Sequence, residues 1–416
     1  MSHGHAKTPE FDQGASANGK TVAGGILGRI DASPQDVGLD ESKLDLLRRS
    51  IEEDIARGHS DGSVLLIARH GKIVMHEAIG YSDRANNRKA LISDIMPIMS
   101  VTKQLTAAMV LRFVDTGRLA LTTRIAEVIP EFASGGKERV TIRDALSHQA
   151  GLPMQHPLED WKDGNEAYVQ RICKLPFEPA PEGVANYHAG AAHAVLGEVC
   201  RRLDGGGRSA RKIMEAEIFE PAGMTETALS LRDRPDLVGR LVPIAIRDEG
   251  PGALPARDVE QVSRICQDIE FLAGGAFSTG YDIYRFAEML RCNGRSDGRQ
   301  VLSPAVVKIA TTTIQTGNKR HGLYTDVVAR DHTDLFPANI GLSFYIRGEG
   351  IFITHMGTLC SPRAFAGSGF GGQLFLVDPD RDLTFVHLVA GFPQLYQSRK
   401  RSQRICDLVI SSVIDV

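Results

Sequence analysis

The chain has little that would commit it to a large partner. Over 416 residues its formal net charge is only −3, so it has no overall basic field to draw phosphate backbones or anionic lipid, and nucleic acid is not an expected partner. No apolar run approaches the roughly 20 residues that cross a bilayer. The opening stretch from Met1 to Lys20 also lacks the apolar core of about 7 to 15 residues that a secretory signal needs. Neither a membrane partner nor export is expected. The six cysteines, Cys173, Cys200, Cys266, Cys292, Cys360 and Cys406, include no C-x-x-C pair, which excludes a ribbon-type zinc site and gives no disulfide framework. They read as reduced thiols in a cytoplasmic protein. No H-E-x-x-H, P-loop or dinucleotide fingerprint stands in a supporting context, so no cofactor is expected. His3 and His5 lie in a loose lead-in, where metal binding would have no bearing on chemistry.

What is present is an ordinary soluble composition, 42% hydrophobic and 24% charged, enough to bury a sizeable core. Residues 1 to about 36 read as a flexible lead-in, punctuated by Gly and Ser. The spacing of Leu44, Leu47, Ile51 and Ile55 predicts an amphipathic helix over 40–57. Two strand-like runs follow, Ser63 to Arg69 and Lys72 to Ile79, parted by a His70-Gly71 turn. The middle is mostly helical in period, with the Pro- and Gly-rich stretch Glu178 to Gly183 as its plainest break. Strands return at Ile340 to Arg347, Gly350 to His355, Gly372 to Val377 and Leu383 to Leu388. The expected architecture is α+β: an antiparallel sheet formed from both chain ends and flanked by helices, with a mostly helical inserted part. Residues 37–416 would form one catalytic domain, with 37–100 and about 270–416 as its α/β part and about 101–270 as its helical part. The basic run Arg399, Lys400, Arg401 and Arg404, beside the apolar run from Ile405 to Val416, reads as the wet face of a terminal helix.

The chemistry points to Ser100. The run Pro97-Ile-Met-Ser100-Val-Thr-Lys103 places S-x-x-K at the start of a helical segment, so Lys103 stands one turn on, beside the Ser100 hydroxyl. A serine hydroxyl is inert at neutral pH unless a neighbour removes its proton, and a desolvated lysine can do so. The free N–H groups of a helix N-terminus also favour developing negative charge. Ser134-Gly-Gly-Lys137 and Ser209-Ala-Arg-Lys212 match the same pattern. Neither is expected to open an apolar helix that buries its lysine.

Further stretches accompany Ser100 in order: Val114 to Leu121, then Val140 to Leu152 with His148 and Gly151 ending a helix, then Ala273 to Thr279, then Asp282, Phe286, Asp297-Gly298 and Leu302-Ser-Pro304. With Met99-Ser-Val-Thr-Lys103 these resemble the class C β-lactamase-like hydrolases of the serine β-lactamase and penicillin-binding-protein superfamily, which include esterases and D-peptidases, over roughly Gly38 to Leu388. The resemblance implies that superfamily's fold and an acyl-enzyme on Ser100. It makes Tyr187, in Tyr187-His188-Ala189, the proton-handling partner of Lys103. It also implies a third box lining the pocket, either Gly367-Ser368-Gly369 or, as second choice, His355-Met356-Gly357. The N–H groups of Ser100 and Phe370 would then form the oxyanion hole. His188 could contact substrate or tune Tyr187. Gly367 occupies a position where the family carries a cation or a ring. That absence favours ester hydrolysis over turnover of carboxylate-bearing β-lactams. The expected partner is therefore a small ester, amide or short peptide. A carboxylesterase is the first reading, an amide hydrolase or peptidase the next, then an acyltransferase, and last a non-catalytic binding protein. Oligomeric state is not legible.

Overall fold

A computed structural model of the chain describes residues 21–22, 25–154, 161–247, 256–324 and 336–414. His3 and His5 lie outside the described residues. Nine strands form one antiparallel sheet: β1 (Thr21–Val22), β2 (Gly25–Leu27), β3 (Gly62–Arg69), β4 (Lys72–Asp83), β5 (Arg88–Lys89), β6 (Tyr345–Ile346), β7 (Phe365–Ser368), β8 (Leu374–Asp378) and β9 (Leu383–Ala390). Their order is β1-β2-β4-β3-β9-β8-β7-β6, with β5 paired to β4. The seam between the two chain ends is β3 against β9, in register from Leu383 opposite Arg69 to Ala390 opposite Gly62. Sheet and flanking helices give the α+β architecture expected of the sequence.

Because side chains alternate along a strand, β3 serves two cores. Val64, Leu66 and Ala68 face the helical part, while Leu65 and Ile67 face the other side. That other side is covered by α1 (Glu41–Ala56), through Leu44, Leu47 and Ile51, and by the terminal helix α6 (Leu395–Ser411), through Ile405, Cys406 and Val409. The first face carries α5 (Gly280–Arg291), with Ile283, Phe286 and Ala287 against Val386 and Leu388 of β9. Both faces are covered, so the central strands read as continuous apolar runs. The six cysteines are free thiols, all buried except Cys292.

Several expectations need correction. The lead-in is not wholly outside the fold: β2 pairs with β4, from Gly25 opposite Ile79 to Leu27 opposite Glu77. Of the stretch Ile340 to Arg347 only Tyr345–Ile346 is strand, because Asn339 and Ser343 take left-handed φ values of 43° and 71° that break an extended run. Gly350 to His355 forms no strand. The basic run on α6 is a wet face only in part. Lys400 and Arg404 are exposed, but Arg399 and Arg401 are buried. Arg401 lies four residues before Ile405 and so shares its buried stripe. Its charge is met by Asp54 on α1, with Nε to Oδ2 at 2.6 Å, and Nη2 donates to Ser60 Oγ at 2.8 Å.

Candidate active site

Ser100 sits in a single 3-10 turn, Met99–Val101, that runs into α2 (Thr102–Asp115). Met99 is left-handed, φ 50°, a conformation costing a non-glycine residue about 1–3 kcal/mol. The neighbourhood holds it there. Thr102 Oγ1 donates to Met99 O at 2.7 Å and accepts from Ala276 N–H at 3.0 Å. Ile98 N–H donates to Ala276 O at 3.0 Å, and Thr106 Oγ1 donates to Leu272 O at 2.7 Å. These bonds join two of the stretches singled out in the sequence, Ser100 to Thr106 and Ala273 to Thr279. Being in the first turn, the Ser100 N–H has no intrahelical acceptor.

Lys103 is fully buried. Its Nζ donates to Ala273 O at 2.7 Å, Ala189 O at 3.0 Å and Ser100 Oγ at 3.2 Å. Among the described residues no carboxylate lies within ion-pairing distance of it. Desolvation without a counter-ion disfavours the ammonium and brings its pKa down to about 7. Two N–H groups on two carbonyls leave the third direction, toward Ser100 Oγ, for a proton when the amine is charged and for a lone pair when it is neutral.

Tyr187 is buried in the loop before α4 (Ala191–Leu203), with Lys103 Nζ 4.9 Å from its ring centroid. Burial pushes its phenol up to about 12, partly offset by hydrogen bonding with Ser100 and Tyr345. It is therefore an O–H at neutral pH, not a phenolate. His148 stacks on it at 4.5 Å and His321 lies at 5.3 Å, centroid to centroid. His321 Nε2 is 3.3 Å from Tyr345 Oη. His188 is wholly buried, and burial drives its imidazole down to about 3. Its backbone N–H, not its ring, makes the local bond, to His148 Nδ1 at 3.0 Å. Among the described residues no group of three or more His, Cys, Asp or Glu side chains is placed to hold a metal.

The two candidate third boxes separate cleanly. A Cβ on Gly369 would stand 2.6 Å from Ile98 O and 3.1 Å from Ser100 N, so only a glycine lets the chain after β7 run this close to Ser100. Phe370 follows directly. His355-Met356-Gly357 lies off the sheet, where Gly357 packs on Asp407 and Gln403 of α6. His355 stacks on Tyr345 at 3.8 Å. Gly367 is a glycine for a different reason: a Cβ there would meet the Phe375 ring at 2.3 Å and Gln104 Oε1 at 2.6 Å. That face of β7 points into the core, and no side chain could project from it into a pocket. A cation nevertheless stands beside Ser368. Buried Arg399 donates through Nη1 to Ser368 Oγ at 2.5 Å and through Nε to Tyr324 Oη.

The other S-x-x-K pairs are structural. Ser209 caps a helix, accepting from Lys212 N–H at 3.4 Å, and Lys212 is exposed. Lys137, expected to be solvated, is buried, but its Nζ is held by the carbonyls of Ser134, Cys173 and Leu175 and not by the Ser134 hydroxyl. Tyr345, His321, Tyr324 and Arg399 escaped sequence reasoning as site neighbours. Only Arg399 carried a usable signal, one turn inward of the apolar stripe on α6.

Comparison with known proteins identifies the family. Residues 47–405 match the Beta-lactamase family model. Protein Rv1367c of Mycobacterium tuberculosis is 26% identical over 391 residues, covering 85% of this chain and 91% of that protein. Esterase EstB of Burkholderia gladioli is 28% identical over 262 residues, 56% of this chain and 66% of the esterase. The crystal structure of a penicillin-binding-protein homologue from Caulobacter crescentus superposes with a TM-score of 0.72 at 25% identity, covering 90% of this chain and 99% of that one. With the match spanning most of its length, the chain belongs to the Beta-lactamase family.

Proposed function

We propose that this protein is a serine hydrolase of carboxylesterase type, with Ser100 as nucleophile, Lys103 as general base and Tyr187 as proton relay. The observation that carries the reading is the setting of Lys103: a buried amine 3.2 Å from Ser100 Oγ, with two backbone carbonyls and no carboxylate around it among the described residues. Neutral Lys103 takes the Ser100 proton as Oγ bonds to the substrate carbonyl carbon. The carbonyl oxygen becomes an oxyanion under the N–H groups of Ser100 and Phe370. Collapse breaks the bond to the alcohol oxygen, which takes a proton from Tyr187 Oη, and Tyr187 recovers one from the Lys103 ammonium. Water repeats the cycle on the acyl-enzyme. Arg399 donates to Ser368 Oγ, which leaves the Ser368 hydrogen free to contact substrate. With that cation present, the missing charge at Gly367 no longer counts against acidic substrates. Esterase EstB, as a relative, supports esters as the first class to test.

The test is labelling with a fluorophosphonate and burst kinetics with p-nitrophenyl esters. The native chain should label and Ser100→Ala should not. Equal labelling of the two refutes the reading. A panel of esters, β-lactams and short peptides of both chiralities, run with and without an added alcohol acceptor, then ranks substrate class and separates hydrolysis from acyl transfer.

A further inference from the structure

His148 takes no part in the steps above, yet its ring lies closer to Tyr187 than that of His321, 4.5 Å against 5.3 Å. It follows the short helix α3 (Ile142–Leu146) in a left-handed conformation, φ 59°, and this turn aims the ring back into the site. His148 N–H still reaches Ala145 O at 3.3 Å, and Gln149 N–H reaches Asp144 O at 2.7 Å, so the turn is anchored. His148 Nδ1 accepts the backbone N–H of His188, the residue after Tyr187, at 3.0 Å. An accepting Nδ1 carries no proton, so the neutral ring bears its hydrogen on Nε2. Protonation at Nδ1 would break that bond and set a second cation among the groups facing the ring, namely Lys103, His188, His193 and His321. Full burial opposes that charge.

We infer that His148 is a positioning residue for Tyr187: its Nδ1 fixes the amide beside Tyr187 and its ring backs the phenol, so that the hydroxyl is held against Ser100 and Tyr345. This rests on the proposed role of Tyr187. A catalytic group misplaced by about 1 Å can lose about a hundredfold in rate, and a bond that sets one edge of a loop should control part of that.

The experiment compares His148→Asn and His148→Phe with the native chain. Asparagine tolerates positive φ and presents an amide oxygen where Nδ1 stood, whereas phenylalanine keeps a ring and loses the acceptor. The Phe variant should lose about tenfold to a hundredfold in the p-nitrophenyl ester burst rate with KM within about twofold, and the Asn variant should recover most of it. Asn and Phe equally impaired, or both equal to native, overturns the inference. A second measurement needs no variant. In native protein carrying 15N-histidine, the His148 ring should be neutral with its proton on Nε2 at pH 7, and a charged or Nδ1-protonated ring overturns the inference. If the native chain does not react with a fluorophosphonate at all, the hydrolase reading fails first. If it reacts and His148→Phe reacts equally fast, only the role of His148 fails.

Discussion

The sharpest consequence of the site concerns the pH at which the enzyme switches on. A lysine of ordinary pKa, 10.5, is neutral in only about one molecule in 3000 at pH 7. Lys103, brought to about 7 by burial, is about half neutral there. The structure thus supplies about a thousandfold more free base than solvent would. In a plot of kcat/KM for a p-nitrophenyl ester, log rate should rise with unit slope below pH 7 and level off above it, standing about a hundredfold below the plateau at pH 5. Lys103→Met, close in length and uncharged, should lower the plateau by about 10²- to 10⁴-fold. The linkage has a definite sign. The folded pKa lies below the unfolded one, so between pH 7 and 10.5 the unfolded chain binds the extra proton and stability contributed by this group rises with pH. Urea unfolding midpoints across that window should climb for the native chain and climb less for Lys103→Met. A limb at pH 9 or above, or a Met variant that keeps the native profile, refutes Lys103 as the base.

Gly369→Ala puts a Cβ 2.6 Å from Ile98 O and 3.1 Å from Ser100 N; moving that strand end should cost about a hundredfold in kcat, as for loss of one oxyanion donor, measured by the ester burst. Gly367→Lys, which would place a cation at the start of the third box, meets Phe375 and Gln104 and should lower the thermal midpoint without creating β-lactam turnover. Arg401→Met leaves Asp54 with only the solvent-facing Arg404 and His59 and should destabilise by about 3 kcal/mol, read by urea titration, while Ser100 labelling survives. Tyr345→Phe removes only the hydroxyl that joins His321 to Tyr187 and should lower kcat severalfold at unchanged KM in the same ester assay.

Local geometry decided what could be read in advance. Ser100 and Lys103 were legible because residues three apart share a helix face, and the Lys103 Nζ to Ser100 Oγ contact is that spacing made real. The acceptors that set the chemistry of Lys103, Ala189 O and Ala273 O, lie 86 and 170 residues away and follow from no local rule. Strands β3, β4, β8 and β9 were legible because two covered faces force continuous apolar sequence. The aromatic run around Phe344, Tyr345 and Phe352 looks equally strand-like. Left-handed residues at Asn339, Ser343, Gly348 and Gly350 bend it, so that only Tyr345–Ile346 joins the sheet, and the Tyr345 ring packs on His321 and His355. Gly367 misled for a steric reason, since its missing side chain belongs to the core facing Phe375.

Four imidazoles, His148, His188, His193 and His321, are buried around Tyr187 and Lys103, with His355 behind Tyr345, and in another setting any of them would be the first candidate for a base working near pH 7. Here burial drives every one down, His188 and His321 to about 3 and the others well below the usual range. Ser343 Oγ donates to Leu146 O and so accepts the Nε2–H of His193. The histidines shape the site, and the charges come from Lys103 and Arg399, neither paired with a carboxylate among the described residues. Such a site favours every anion the reaction creates, the serine oxygen and the tetrahedral oxyanion alike. The division between the two cations matters. In the proposed mechanism Lys103 must lose its proton before it can accept one from Ser100, and in that state the guanidinium of Arg399 still supplies the positive field.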